Sequence, residues 1–294
     1  MGKPYFGSRL FLSCDLVGST NYKQEKSATD EDWYLPFATF YQEFPEITRK
    51  YVPPEVNARV WKAAGDELIF IADVTSEAQV HDVVQAWLTC LTDFQESLDL
   101  VAPKMAVKGA AFMATFPAPD REIEIGEAAP DVSPVLDFLG PSIDTGFRIF
   151  GTSSERYFTM TVEVAWAYAE HLLHIHHQDE DLRFLGVRSL KGVWGGRDYP
   201  LMAIDRQPRE KVNKSLDKIN GVRHVSPSRV AKLAAACSKD GDWPSCLYLP
   251  DAKSRALRRK KVHEKMAKAQ LQTSGNSDVG SIPEGAPMTS VPVA

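Results

Sequence analysis

The chain has 294 residues, 44 % of them hydrophobic and 25 % charged, and a formal net charge of -5. This suits one large hydrophobic core with extensions and argues against general affinity for nucleic acid. No apolar run approaches the roughly 18 residues of a membrane span and no secretory leader is visible, so a cytoplasmic location is expected; Cys14, Cys90, Cys237 and Cys246 stand at no metal-ligand spacing and read as reduced thiols.

In chain order, residues 8–15 read as a buried strand that ends in Asp15 and runs into Gly18, Ser19 and Thr20. Such a loop offers several free backbone N–H groups and can hold phosphate. A helix is expected between residues 31 and 51, disturbed by Pro36 and Pro45. Residues 59–72, RVWKAAGDELIFIA, have the pattern of a β-hairpin with Gly65 and Asp66 at its tip. Lys62 lies inside that half-buried run and therefore requires an anionic or hydrogen-bonding partner. Residues 75–98 place Val80, Val83, Val84, Trp87, Leu88, Leu91 and Phe94 at helical spacing, with Thr75 or Ser76 as the cap. A strand is expected over residues 103–116.

This order predicts a split βαβ arrangement: an antiparallel sheet with helices on one face. Loops at one end of such a sheet bring Asp15 and Asp66 together. Two carboxylates beside a phosphate-holding loop are the minimum set for two-metal phosphoryl chemistry.

Residues 117–134, rich in Pro, Asp and Glu, read as a long loop or arm. A helix over residues 141–153 would carry Asp144 and Arg148 one turn apart on one face. A strand over 157–164 precedes a helix to about 177, and short strands near 182–187 and 199–204 flank Leu190-Lys191-Gly192. His171, His174, His176 and His177 have no cysteine or carboxylate at ligand spacing and read as a solvated helix end. Cys14, next to Asp15 on a strand, should point to the opposite side and serve packing. Residues 1–205 form the expected catalytic domain, 206–225 a linker, 226–271 a basic, partly helical extension, and 272–294 a disordered tail. Within the extension, residues 229–238 and 253–271 are the expected helices, the second a solvated basic one.

Four segments, DLVGST (15–20), WKAAGDEL (61–68), LDFLGPSIDTGFR (136–148) and LKG (190–192), occur in the order of the signature segments of another group of proteins. The chain resembles the class III nucleotidyl (adenylyl/guanylyl) cyclase catalytic domain over residues 8–204. The resemblance implies an α+β fold, the ferredoxin-like βαββαβ class III cyclase domain with additional C-terminal strands and helices. It also implies two divalent cations, Mn2+ or Mg2+, held by Asp15, the Leu16 carbonyl and Asp66. Class III sites are shared in a homodimer, so Lys62, Asp137, Asp144, Arg148 and Lys191 would come from the other chain.

Arg148 suits fixed-charge stabilisation of phosphate oxygens, and Lys191 beside a glycine suits the leaving pyrophosphate. Lys62 and Asp137 match the pair that reads the base in adenylyl cyclases. Asp144 departs from the pattern, standing where the superfamily usually has an Asn. Trp61, beside Lys62, and Tyr51 upstream are bulky enough to narrow the base pocket toward a pyrimidine, although each also suits core packing.

IDTGFR and the free-standing domain most resemble the antiphage pyrimidine cyclases of the Pycsar system. The expected activity is UTP to cyclic UMP and pyrophosphate, the product activating a separate effector. CTP as substrate, an adenylyl or guanylyl cyclase, and a degenerate nucleotide-binding regulatory domain are the alternatives.

Overall fold

The computed structural model describes residues 5–29, 31–125, 135–179, 181–208, 210–258 and Lys268. Strand β1 (Gly7–Val17) is central in an eight-stranded sheet and is covered on both faces, which is why its apolar run is nearly continuous. Leu10, Leu12, Cys14 and Leu16 join the larger core on one face, while Phe11 joins a smaller core on the other. Cys14 is fully buried, as its strand position predicts, and burial pushes its thiol well above the ordinary range.

Helix α1 (Ser19–Ala28) follows immediately, where the sequence suggests a loop. Ser19 is its one buried residue, so no apolar period marks it; it starts because Gly18 takes a left-handed φ of 82° that turns the chain out of β1. Helix α2 (Leu35–Tyr51) carries Pro36 at its first turn, where the missing N–H costs nothing, and tolerates Pro45 within it. The hairpin is present as β2 (Arg59–Ala64) and β3 (Glu67–Val74), with Gly65 at a φ of 68° in the turn. Helix α3 (Glu77–Val101) is capped by Ser76, whose hydroxyl accepts from the Gln79 amide at 3.2 Å. Strand β4 (Ala106–Phe116) completes the split unit beside β1.

Part of the expected loop after β4 is a second, two-stranded sheet of β5 (Arg121–Ile125) and β6 (Val135–Leu139). Residues 126–134 of that loop lie outside the described residues. Buried Arg9 reaches Asp73 at 2.8 Å and Glu122 of β5, fastening the hairpin to the main sheet. Helix α4 (Pro141–Phe150) then crosses the smaller core, its N-terminus held by the buried Asp120, which accepts from the Ser142 amide at 3.0 Å. Burial raises the Asp120 carboxyl to about 6. Gly146 lets α4 approach closely: a Cβ there would lie 2.2 Å from the Phe112 ring.

Strand β7 (Tyr157–Met160) runs parallel to β4 and is shorter than the sequence suggests, because residues from Val162 already belong to helix α5 (Val162–His174). Strands β8 (Leu182–Ser189) and β9 (Asp198–Asp205) extend the sheet. The residues expected to be a linker contain helix α6 (Lys211–Asn220) and strand β10 (Arg223–His224), which pairs with β8. Asp217 of α6 holds Arg156 at 2.7 Å and accepts from the Tyr157 hydroxyl at 2.8 Å. Those contacts order a segment whose sequence lacks a buried face. Helix α7 (Pro227–Cys237) forms as expected and packs on α5.

The chain then returns across the sheet end. Trp243 and Ser245 donate to buried Glu163, Ser8 donates to the Tyr248 carbonyl at 2.9 Å, and Leu249 and Leu257 are fully buried. The described part of the C-terminal extension, residues 226–258, is thus packed against the same core as the sheet. Residues 253–258 run as turns; apart from Lys268, the remainder of the expected basic helix and the expected disordered tail lie outside the described residues. Among the described residues no helix is long and apolar enough to cross a membrane. The sheet order is β10-β8-β9-β7-β4-β1-β3-β2; helices α2, α3, α5 and α7 cover one face, and α4 with β5–β6 covers the other.

Candidate active site

Asp15 and Asp66 meet at one end of the sheet, as expected from their strands. The Leu16 amide donates to the Asp66 carbonyl at 3.1 Å, which ties the tip of the β2–β3 hairpin to the end of β1. The Ser19 hydroxyl donates to the Asp66 carboxylate. Tyr22 makes the first helical bond of α1, to the Gly18 carbonyl at 3.0 Å, so the amides of Ser19, Thr20 and Asn21 precede the ladder. Asp15, Leu16, Asp66 and residues 18–21 line a cleft of about 750 Å³. Its facing wall includes Arg156 and, from the segment after β9, Gln207 and Asn213.

Charge is concentrated on this end of the sheet. Asp15 stands directly opposite Glu67 on β3 and Lys108 on β4. Alternation along β1 turns all three toward the smaller core's face. Burial raises the Asp15 carboxyl, opposed by the Lys108 ammonium 2.9 Å away. Burial and the neighbouring Asp15 charge raise Glu67 to about 7. Neither Lys108 nor Glu67 could be assigned from sequence, since each lies in an ordinary strand pattern and acquires its partners only through cross-strand register.

A second constellation lies on the same face. Lys62 bonds both carboxylate oxygens of Asp137, at 2.7 and 2.8 Å, so it has the anionic partner its position requires. A β-bulge between Val60 and Lys62 makes this possible. Lys62 stands opposite Ile69 and Val60 opposite Phe70, leaving Trp61 as the extra residue, so Trp61 and Lys62 share one side instead of alternating. The Lys62 ammonium sits 4.4 Å from the centre of the Trp61 ring. Trp61 packs edge-on against Phe11 and Phe138, and its indole N–H donates to the Leu136 carbonyl at 3.3 Å. Tyr51 does not join it: Tyr51 packs against the larger core on the opposite face of the sheet, beside Lys50. Within one chain the two aromatics therefore cannot narrow one pocket.

Asp144 and Arg148 project from the exposed side of α4 together with Phe147, as their spacing predicts. Lys191 is exposed in the turn between β8 and β9. Tracing the register from Asp15 through Lys108, Thr159 and Ala203 places that turn at the sheet end opposite to Asp15. A single chain thus brings Asp15, Asp66, Gly18, Ser19 and Thr20 together, and Lys62 with Asp137, but does not bring Lys191 to the carboxylates.

No family profile and no curated protein matches the chain. Solved structures do match its shape. The catalytic core of a rhodopsin-guanylyl cyclase with converted specificity, solved with ATPalphaS, aligns with a TM-score of 0.50 over 70 % of this chain and 100 % of its own, at 13 % identity. The adenylyl cyclase CyaB from P. aeruginosa aligns with a TM-score of 0.50 over 71 % of this chain and 98 % of its own, also at 13 % identity. The fold is that of class III cyclase domains. At this identity the likeness concerns backbone architecture; the chemistry has to be read from the side chains above.

Proposed function

We propose that the chain is a metal-dependent nucleotide cyclase that works as a homodimer and prefers a pyrimidine triphosphate, UTP ahead of CTP, giving cyclic UMP and pyrophosphate. The observation that carries the cyclase reading is the meeting of Asp15 and Asp66 beside the N-terminus of α1, in one cleft. Two carboxylates and a backbone carbonyl are an all-oxygen donor set, which fits Mg2+ or Mn2+; Asp15, Asp66 and the Leu16 carbonyl would hold the ions. When bound, such ions neutralise the triphosphate and lower the pKa of the ribose 3′-hydroxyl.

The chain's own groups supply the remaining steps. The amides of Ser19, Thr20 and Asn21 donate to phosphate oxygens at the helix N-terminus. The ribose 3′-oxygen attacks the α-phosphorus in line, its bond to phosphorus forming as the bond to pyrophosphate breaks. Arg148 grips the non-bridging oxygens where charge grows, Lys191 neutralises the leaving pyrophosphate, and Asp144 orients the ribose. Because Lys191 and the carboxylates occupy opposite sheet ends, an antiparallel pair of chains related by a two-fold axis completes each site, one giving the carboxylates and the other Lys62, Asp137, Asp144, Arg148 and Lys191. The exposed apolar side chains of Phe147, Ile123, Ile125, Val135 and Leu139 offer surface for that pairing.

Lys62 and Asp137 present one donor and one acceptor, which suit the O4 and N3–H of uracil. We read the adjacent Trp61 indole as reserving the space beside them for a single-ring base. The product then acts as a second messenger in antiphage defence, switching on a separate effector. A second reading, a nucleotide-binding domain without turnover, draws on the ion pair that occupies Asp15 with Lys108 and on Asp144.

The deciding experiment is mass spectrometry of products after the protein meets ATP, GTP, CTP and UTP separately with Mn2+, with Asp66→Ala as control. A cyclic pyrimidine nucleotide absent from the control is expected, and Trp61→Ala should admit purines. Cyclic AMP or GMP would overturn the base assignment alone. No product from any triphosphate would overturn the cyclase reading. Mixing Asp66→Ala with Arg148→Ala protein should restore one working site per heterodimer.

A further inference from the structure

The face opposite the candidate active site holds a cluster of side chains of the types that ligate metals. His81 on α3 and His171 on α5 come from distant parts of the sequence, and their rings meet with centroids 4.4 Å apart. The Asp82 carboxylate lies 3.0 Å from Nδ1 of His81. Nitrogen and oxygen ligand atoms of the three residues all fall within 4.8 Å of one another. Read alone, the histidines of α5 end in solvent; the missing nitrogen and carboxylate ligands come from α3, which only tertiary packing supplies.

We propose that His81, Asp82 and His171 form a binding site for a borderline transition-metal dication of the Zn2+ type. Two imidazoles and one carboxylate are the donor types such an ion takes, in a four-coordinate site whose last position goes to water. Tetrahedral bonds of about 2.0–2.1 Å need ligand atoms roughly 3.4 Å apart, so a contraction by side-chain rotation closes the group. The support expected behind a ligating histidine is present. Tyr168 stacks on the His81 ring at 5.0 Å and 29°, and is itself held by the Gln85 amide and the Asp179 carboxylate. The donor set differs from the all-oxygen set at Asp15 and Asp66, so the two sites select different ions: a hard one for phosphate chemistry and a softer one that clamps α3 to α5.

The test is calorimetric titration of the full chain with Zn2+ in excess Mg2+, which keeps the oxygen site filled. Thermal unfolding and the visible spectrum after Co2+ substitution accompany it. One Zn2+ per chain is expected in the wild type and in Asp66→Asn, with a raised unfolding midpoint and a tetrahedral Co2+ spectrum. His81→Ala and His171→Ala should weaken binding more than tenfold and erase that spectrum. His171→Gln, checked by circular dichroism, serves if the alanine variant does not fold. Absence of Zn2+ binding in the wild type, unchanged affinity in the histidine variants, or loss of binding in Asp66→Asn would each overturn the site.

Discussion

The two faces of the main sheet are built on different terms. On one, α2, α3, α5 and α7 close over a core in which Phe40, Phe44, Trp87 and Phe94 are fully buried and pack against one another at ring distances of 5.2 to 5.8 Å. On the other, a small cluster around Phe11, Phe112 and Phe138 is covered, among the described residues, by α4, the β5–β6 strands and Tyr5. Asp15, Glu67, Lys108, Trp61, Lys62 and Asp137 all belong to that thinly covered face or its cover. The helical face holds the stability, and the thin face can leave polar groups accessible because it does not have to hold the fold together.

Exchanging a residue from each face is the sharpest way to break this contrast. Trp87→Ala should cost about 3–5 kcal/mol in urea unfolding, because a fully buried indole leaves a cavity. Asp66→Asn should move stability by no more than about 1 kcal/mol yet lower nucleotide turnover by about a hundredfold or more, measured by product formation. Gly146→Ala couples the two properties. Its methyl would collide with the Phe112 ring, so we expect a loss of about 1–3 kcal/mol together with reduced turnover as α4 and Arg148 shift outward.

A charge on the outward face of β6 tests the cover itself. Val135→Asp, at a position 63 % exposed, should leave the monomer folded but weaken self-association about tenfold or more in sedimentation, with activity falling at low protein concentration.

The smallest effect belongs to Glu67, whose pKa rises from 4.5 to about 7 in the folded chain. A carboxyl that holds its proton better when folded contributes stability in full below pH 4.5, and loses it as pH climbs through 7. Glu67→Gln removes this dependence and should gain on the order of 1–2 kcal/mol over wild type at pH 8, with no gain at pH 4. Equal gains at both pH values would show that Glu67 is not raised.

Periodicity and turn chemistry carry much of this protein on their own. The strand before Asp15, the Gly65-Asp66 hairpin, the capped helix after Ser76 and the exposed face shared by Asp144 and Arg148 all follow from local patterns that packing then reinforces. The need of Lys62 for an anion is likewise local, since a cation in a half-buried strand has few ways to be satisfied. Other features were decided by tertiary structure. Helix α1 and helix α6 are polar, so their formation rests on the turn at Gly18 and on Asp217 holding Arg156 and Tyr157. Tyr51 and Trp61 lie on opposite faces because chain position says nothing about which side of a sheet a helix covers. The bulge at Trp61, the stacking of Asp15 against Glu67 and Lys108, and the meeting of His81 with His171 depend on register and helix packing between distant segments. Those are long-range choices, made by the core as a whole.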